Sequence, residues 1–166
     1  FSNSVHGLDM VRYIFGDVQV DHVKRIRNLY DNICGLSAML STEGGSIVQF
    51  TANWNTPTNF SLILDRPSRR LELRPFETAV VYDKMEFVDP TPETPIATYT
   101  PLVAERINLD KCDQYFKPGF CAQARSLRAL VRSEDPGPAA RLEDAFKVLK
   151  LAEELIGGTF GSRDQD

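Results

Sequence analysis

The amino-acid sequence predicts an α+β fold, in which a predominantly antiparallel, open-faced β-sheet carries helices packed on one face. Three observations support this class. A helical pattern opens the chain, strand-like segments broken by turn residues occupy its middle, and two amphipathic helical segments close it. Successive strands joined by short connections pair antiparallel, because a parallel crossover needs a dozen or more residues. Each amphipathic helix has one apolar face to bury, and the sheet is the available partner.

The first predicted element is a helix over Ser4 to Phe15, with Gly16 as its stop signal. A meander of strands follows from Val18 to about Val88, with turns at "EGG", "NTPTN" and "DRPSR". The segment "SIVQFTANW" alternates most clearly. Its two predicted faces are Val48, Phe50, Ala52 and Trp54 on one side, and Ile47, Gln49, Thr51 and Asn53 on the other.

The segment Asp89 to Leu109 is predicted to be an extended excursion without regular structure, because it contains four prolines. Two helices are predicted after it, Gly119 to Ser133 and Pro138 to Ile156. Their expected apolar stripes are Phe120, Ala124, Leu127 and Val131 in the first, and Leu142, Ala145, Phe146, Leu149, Ala152, Leu155 and Ile156 in the second.

The second face of the sheet is expected to meet a partner. Apolar residues point in both directions along the strands, as at Ile63 between Leu62 and Leu64, whereas a face bare to water should be polar. Self-association through this open face is the first interpretation. The alternative is a sheet covered by its own loops, including the proline-rich excursion.

Composition excludes several classes of function. The 166 residues suit one domain, 1–166, and the net charge of −4 provides no basic surface for nucleic acid. No apolar run approaches the ~20 residues of a membrane helix, so no membrane partner is expected. Cys34, Cys112 and Cys121 form no metal-binding pattern, and we predict reduced thiols, no metal site and a cytoplasmic protein. A signal preceding this sequence would change that location.

The polar side of the first helix is the candidate site. At about 100° per residue, Val5, Leu8, Val11 and Phe15 form its apolar side, and Ser2, His6, Asp9 and Tyr13 cluster on the other. A solvated helix face explains such a cluster without any function. A binding or catalytic face is the other interpretation.

A resemblance to a known family favours the second interpretation. "HGLDMVRYIFGD" fits the pattern H-x-x-D-x-x-R-x-x-x-G and precedes a strand, and "STEGGSIVQFTANWNTP", "FSLILDRPSRRLELRP" and "PAARLEDAFKVLKLAEELIGG" follow in order. This succession resembles the C-terminal domain of the glucose–fructose oxidoreductase, inositol dehydrogenase and MocA (Gfo/Idh/MocA) family. The individual motifs are loose, and the specificity lies in their order over nearly the whole chain.

The resemblance implies that residues 1–166 are the substrate-binding and oligomerisation domain of a longer NAD- or NADP-dependent oxidoreductase. The implied substrate is a sugar, cyclitol or related polyol, and family members commonly associate through this sheet. An N-terminal dinucleotide-binding domain with the active-site lysine would precede the chain, since no G-x-G-x-x-G occurs within it. The fragment alone is therefore expected to bind no cofactor and to be inactive. The alternative is a non-catalytic binding or dimerisation module that retains the fold.

The resemblance also implies roles for individual residues. His6 matches the family's catalytic histidine and would act as the base, because imidazole, with an ordinary pKa of about 6.5, accepts a proton near neutral pH. The family often has an aspartate four residues earlier, where this chain has Ser2. Asp9 could orient the imidazole, and Tyr13 shares its face. Trp54 could stack on a sugar ring, although packing in the core or on the sheet is its alternative role.

Overall fold

The structure, a computed structural model, describes residues 4–54, 56–108 and 112–157. Two compact units make up the chain, Phe1–Pro57 with Ala140–Asp166, and Thr58–Ala139. The elements in chain order are α1 (Ser4–Phe15), β1 (Val18–Arg27), β2 (Ile33–Thr42), β3 (Ile47–Asn53), β4 (Leu62–Arg66), β5 (Arg69–Leu73), β6 (Ala79–Val88), β7 (Thr98–Ile107), α2 (Phe120–Val131) and α3 (Leu142–Ile156). The predicted α+β class is confirmed, with the strands divided between two open antiparallel sheets.

The first unit contains a sheet of order β1-β2-β3, and α1 and α3 pack on one of its faces. Leu8 of α1, Leu40 of β2 and Leu155 of α3 are fully buried and meet in one core. The alternation predicted for β3 is confirmed. Val48 and Ala52 are buried, and the residues on the opposite face are exposed, namely Ile47, Gln49, Thr51 and Asn53. Helices therefore cover one side of this sheet only.

The other side of this sheet is mostly polar. Ser37 and Thr51 face each other with their hydroxyl oxygens 3.4 Å apart, and the Ser41 hydroxyl donates to the Asp21 carboxylate at 2.8 Å. Met39 and Ile47 are exposed apolar residues on this side, and Ile33 at the start of β2 is a further exposed apolar residue of the sheet. The apolar second face that the sequence indicates is therefore not found in the first unit.

The second unit contains a sheet of order β4-β5-β6-β7, and Val80 and Val81 of β6 are its buried residues. β7 contradicts the prediction of an irregular excursion from Asp89 to Leu109, because residues 98–107 form a regular strand paired with β6. Pro101 lies within it. β7 is an edge strand, so a residue without an N–H can sit there with its missing donor directed away from β6.

Helix α3 begins at Leu142, four residues after the predicted start. The Asp144 carboxylate accepts a hydrogen bond from the Arg141 backbone N–H at 2.9 Å, which defines the first turn. At its other end, the Arg25 guanidinium donates to the Ile156 carbonyl, a favourable place for a cation. The buried side of α3 also differs from the predicted stripe. It consists of Val148, Leu151, Ala152 and Leu155, and Leu142, Phe146 and Leu149 remain exposed.

A disulfide joins Cys112 and Cys121, whose Cα atoms lie 6.3 Å apart. The prediction that these cysteines are thiols is therefore wrong, and only Cys34 is a free thiol within the described ranges. The nearly buried Asp113 accepts a hydrogen bond from the Cys121 backbone N–H at 3.2 Å. The disulfide and the Asp113 carboxylate together hold the start of α2, a helix in which no residue is buried.

Candidate active site

The apolar side of α1 determines where its polar side points. Ser4, Leu8 and Val11 are buried against the sheet and α3. The opposite side of the helix therefore faces away from the core, as the sequence predicts, with His6 exposed and Tyr13 66% exposed. Asp9 is half-buried at the border between the two sides.

Gly7 brings α1 close to β3. A Cβ atom at this position would lie 3.2 Å from Cε2 of the Phe50 side chain, so the missing side chain permits the close approach. His6 is the adjacent residue, so this close approach lies next to the candidate base.

Arg12 connects the C-terminal end of α1 to the neighbouring elements. Its guanidinium donates to the carboxylate of Asp17 and, at 3.3 Å, to the backbone carbonyl of Asp144 in the first turn of α3. Lys147 of α3 also donates to Asp17, at 3.1 Å. The hydrogen bonds from Arg12 and Lys147 hold the pKa of Asp17 below its ordinary value of 3.8. This network joins the end of α1, the start of β1 and the start of α3.

The candidate residues of α1 carry no partners of their own. Among the residues that the structure describes, the side chains of His6, Asp9 and Tyr13 make no hydrogen bond or ion pair. Their polar side-chain atoms are therefore available to a ligand. Asp9 does not pair with Arg12, which Asp17 engages instead. Ser2, the fourth predicted member of this face, lies outside the described residues.

Trp54 directly follows β3, and its backbone N–H donates to the carbonyl of Cys34 at 2.9 Å. The alternation of β3 puts it on the same side of the sheet as Phe50, the side that α1 covers. Its side chain is 41% exposed. Trp54 and His6 thus occupy the same side of the first unit, with a partly open indole ring.

The described residues meet the requirements of neither a metal-binding group nor a membrane-spanning helix. They contain no group of three or more histidine, cysteine or carboxylate side chains arranged to hold an ion. No helix among them is long and apolar enough to cross a membrane.

The sequence did not reveal the network around Arg12. Asp17 comes just after the helix stop at Gly16, and Lys147 is 130 residues further along the chain. Only the first of these pairings is local enough to be found from spacing.

Comparison with known proteins gives a match at the level of structure. No protein-family model and no curated protein matches the sequence. A dehydrogenase (MviM) from Clostridium difficile superposes with a TM-score of 0.65 at 11% identity, over 93% of this chain and 46% of that one. UDP-N-acetylglucosamine 3-dehydrogenase GnnA from Acidithiobacillus ferrooxidans superposes with a TM-score of 0.58 at 12% identity, over 92% and 44%. The chain has the fold of a part of these dehydrogenases and spans less than half of their length.

Proposed function

Starting from this shared fold, we propose that the chain is the substrate-binding and oligomerisation domain of an NAD- or NADP-dependent oxidoreductase that acts on a sugar, cyclitol or related polyol. The observation that carries the proposal is the unpartnered polar face of α1, with exposed His6 and Tyr13 and half-buried Asp9, in a chain whose fold aligns over 93% of its length with a dehydrogenase. One of the two similar proteins is named as acting on a nucleotide sugar, which supports a carbohydrate-like substrate.

The chemistry assigned to this face is the removal of a proton from a substrate hydroxyl. His6 is the base, because a neutral imidazole can accept the carbinol proton while hydride leaves the same carbon. Asp9, one turn along the helix, is assigned to orient the imidazole once a substrate is bound, since the two side chains make no hydrogen bond in the structure. Tyr13, Trp54 and Ser2 contact the hydroxyls and faces of the sugar ring, and the Ser2 hydroxyl can donate and accept hydrogen bonds but supplies no charge.

The nicotinamide cofactor would take up the hydride. The residues present do not suit its binding, since no Gly-rich strand–turn–helix occurs in the sequence. We therefore place the cofactor site, with the active-site lysine, in a dinucleotide-binding domain of the parent protein. The chain contributes the substrate side of the reaction.

The direct test is an assay of the parent enzyme with a panel of sugars, cyclitols, polyols and nucleotide sugars, following NAD(P)H by its absorbance. Turnover of one of these classes is the expected result. A parent protein that folds, yet neither binds NAD(P) nor oxidises or reduces any member of the panel, would favour a non-catalytic module. Ser2 in the place of the usual aspartate is the observation that favours this second candidate.

We place the self-association surface on the sheet of the second unit. Met85 and Phe87 of β6 lie opposite Pro101 and Tyr99 of β7, so these four residues share one face. The Phe87 and Tyr99 rings are 4.9 Å apart, and all four side chains are exposed. An exposed apolar patch of this kind marks an interface, and a second copy of the chain buries it symmetrically.

A cytoplasmic location stays a prediction. The Cys112–Cys121 disulfide weighs against it, because disulfides persist mainly in oxidising compartments. The mass of the protein, isolated from cells after alkylation of its free thiols, distinguishes an oxidising from a reducing compartment. Alkylation of one of the three cysteines of this chain means that the disulfide is intact and contradicts a reducing compartment. Alkylation of all three supports a reducing compartment.

A further inference from the structure

Helix α2 exposes its whole apolar stripe. Phe120, Leu127, Leu130 and Val131 are 54%, 62%, 56% and 79% exposed, and no residue of the helix is buried. Helical spacing puts these four side chains on one side, the side that was expected to pack on a sheet. An amphipathic helix that leaves its apolar side bare lacks the partner that this side fits.

The same helix is strongly basic along one border of the stripe. The segment from Gln114 to Ser133 contains one lysine and three arginines and no acidic residue, although the chain as a whole is negatively charged. At about 100° per residue, Arg128 and the C-cap residue Arg132 fall within one sector beside the apolar stripe. Lys117 precedes the helix, and its ammonium lies 5.7 Å from the centroid of the Phe120 ring. The opposite border, with Gln123 and Ser126, is neutral. A complementary surface is therefore apolar with acidic groups along one rim.

The surface is held in place before any partner binds. The Cys112–Cys121 disulfide and the hydrogen bond from the Cys121 N–H to Asp113 secure the start of the helix. Gly119, with φ of 85°, makes the turn into it. A helix fixed in this way loses little conformational entropy on docking.

The size of the stripe indicates what kind of partner it fits. Four such side chains offer a few hundred Å², which is below the ~800 Å² per partner of a stable interface between separate molecules. It suits a contact between domains of one polypeptide, which bury about 600–1,500 Å² in total and are assisted by tethering. The similar dehydrogenases have more than half of their length beyond the part that this chain matches.

We infer that the apolar stripe of α2 is the surface on which the dinucleotide-binding domain of the parent protein docks, with acidic residues of that domain facing Arg128 and Arg132. The inference rests on the proposed function, which requires such a domain. It assigns α2 to the contact between the substrate and cofactor halves of the enzyme rather than to the sheet.

The test compares amide hydrogen exchange of α2 in the parent protein with that in the 166-residue chain. We expect the amides of residues 124–131 to exchange roughly tenfold or more slowly in the parent, because docking suppresses local opening. Leu127→Asp and the charge reversal Arg128→Glu with Arg132→Glu should each abolish this difference. Ala122→Asp, on the opposite side of the same helix, is the matched control and should leave the difference intact.

The same samples are tested for NAD(P) binding, which separates the two proposals. Equal exchange of α2 in the chain and in a parent that binds NAD(P) overturns the docking inference and leaves the proposed function standing. A parent without NAD(P) binding overturns the proposed function and, with it, this occupant of the stripe. Protection of α2 in the 166-residue chain that rises with its concentration, or on addition of phosphatidylserine vesicles, assigns the stripe to a second copy or to a lipid surface and overturns the inference.

Discussion

His6 is the residue on which the proposed chemistry depends. In the parent enzyme, His6→Asn should lower kcat by ~10²–10⁴-fold, the usual contribution of a positioned acid or base. The melting temperature should hardly change, because the side chain is exposed and has no partner among the described residues. His22→Asn, the substitution of the other, also exposed histidine, is the control. Equal turnover of wild type and His6→Asn would return this face of α1 to a solvated surface.

Asp17 makes stability depend on pH in a defined direction. Its pKa in the folded chain lies below 3.8 because Arg12 and Lys147 donate hydrogen bonds to the carboxylate. The unfolded state therefore binds more protons in this range, so the contribution is present above pH 3.8 and is lost as the pH falls through the lower folded value. Asp17→Asn should melt below wild type at pH 7, and the two curves should converge in acid.

Asp83 provides the control for that experiment. Its carboxylate is exposed and forms no ion pair among the described residues. Asp83→Asn should follow wild type at every pH. A difference between Asp17→Asn and wild type that persists unchanged below the lower folded pKa would contradict the role assigned to the carboxylate charge.

At the scale of elements, Gly35 is required for the pairing of β2 with β3. A Cβ atom there would press against the carbonyl oxygen of Ala52 and lie 3.1 Å from the Cα of Asn53, and neither backbone atom can move without disturbing the ladder. Gly35→Ala should therefore lower the free energy of unfolding by about 1–3 kcal/mol. Gly44→Ala, whose nearest neighbour atom would be 3.8 Å away, is the control in a turn. Equal denaturation midpoints for Gly35→Ala and the wild type would contradict the requirement for glycine at this position.

At the scale of the whole molecule, the proposed association makes the oligomeric state depend on the β6–β7 face. Sedimentation equilibrium at micromolar concentration should give a dimer for the wild type and a monomer for Met85→Glu with Phe87→Glu, since two charges cannot be buried in a symmetric contact. The matched pair Gln49→Glu with Thr51→Glu, on the polar face of the first sheet, should leave the dimer intact. A monomeric wild type would contradict the proposal.

Some features of the structure could be predicted from the sequence and others could not, as α1, α3 and Arg12 show. The limits of α1 and the exposure of His6 followed from spacing, because a helix with one apolar stripe has one way to lie on a core. The buried side of α3 did not follow, because apolar residues occur around most of this helix and only its neighbours select Val148 and Leu151 over Phe146 and Leu149. The partners of Arg12 did not follow from the sequence, because the Asp17 carboxylate, which Lys147 also contacts, and the Asp144 carbonyl accept from its guanidinium in place of Asp9, which is nearer in sequence.

The sequence by itself determined the α+β class, the bounds of α1 and the alternation of β3, since these depend on local backbone preference and on periodicity along one element. Tertiary structure decided that a segment with Pro101 becomes the edge strand β7, that the strands form two sheets, and that Cys112 meets Cys121. It also decided that the stripe of α2 stays bare. Each of these depends on which distant segment lies alongside, and the free energy of such contacts is absent from any local window of sequence.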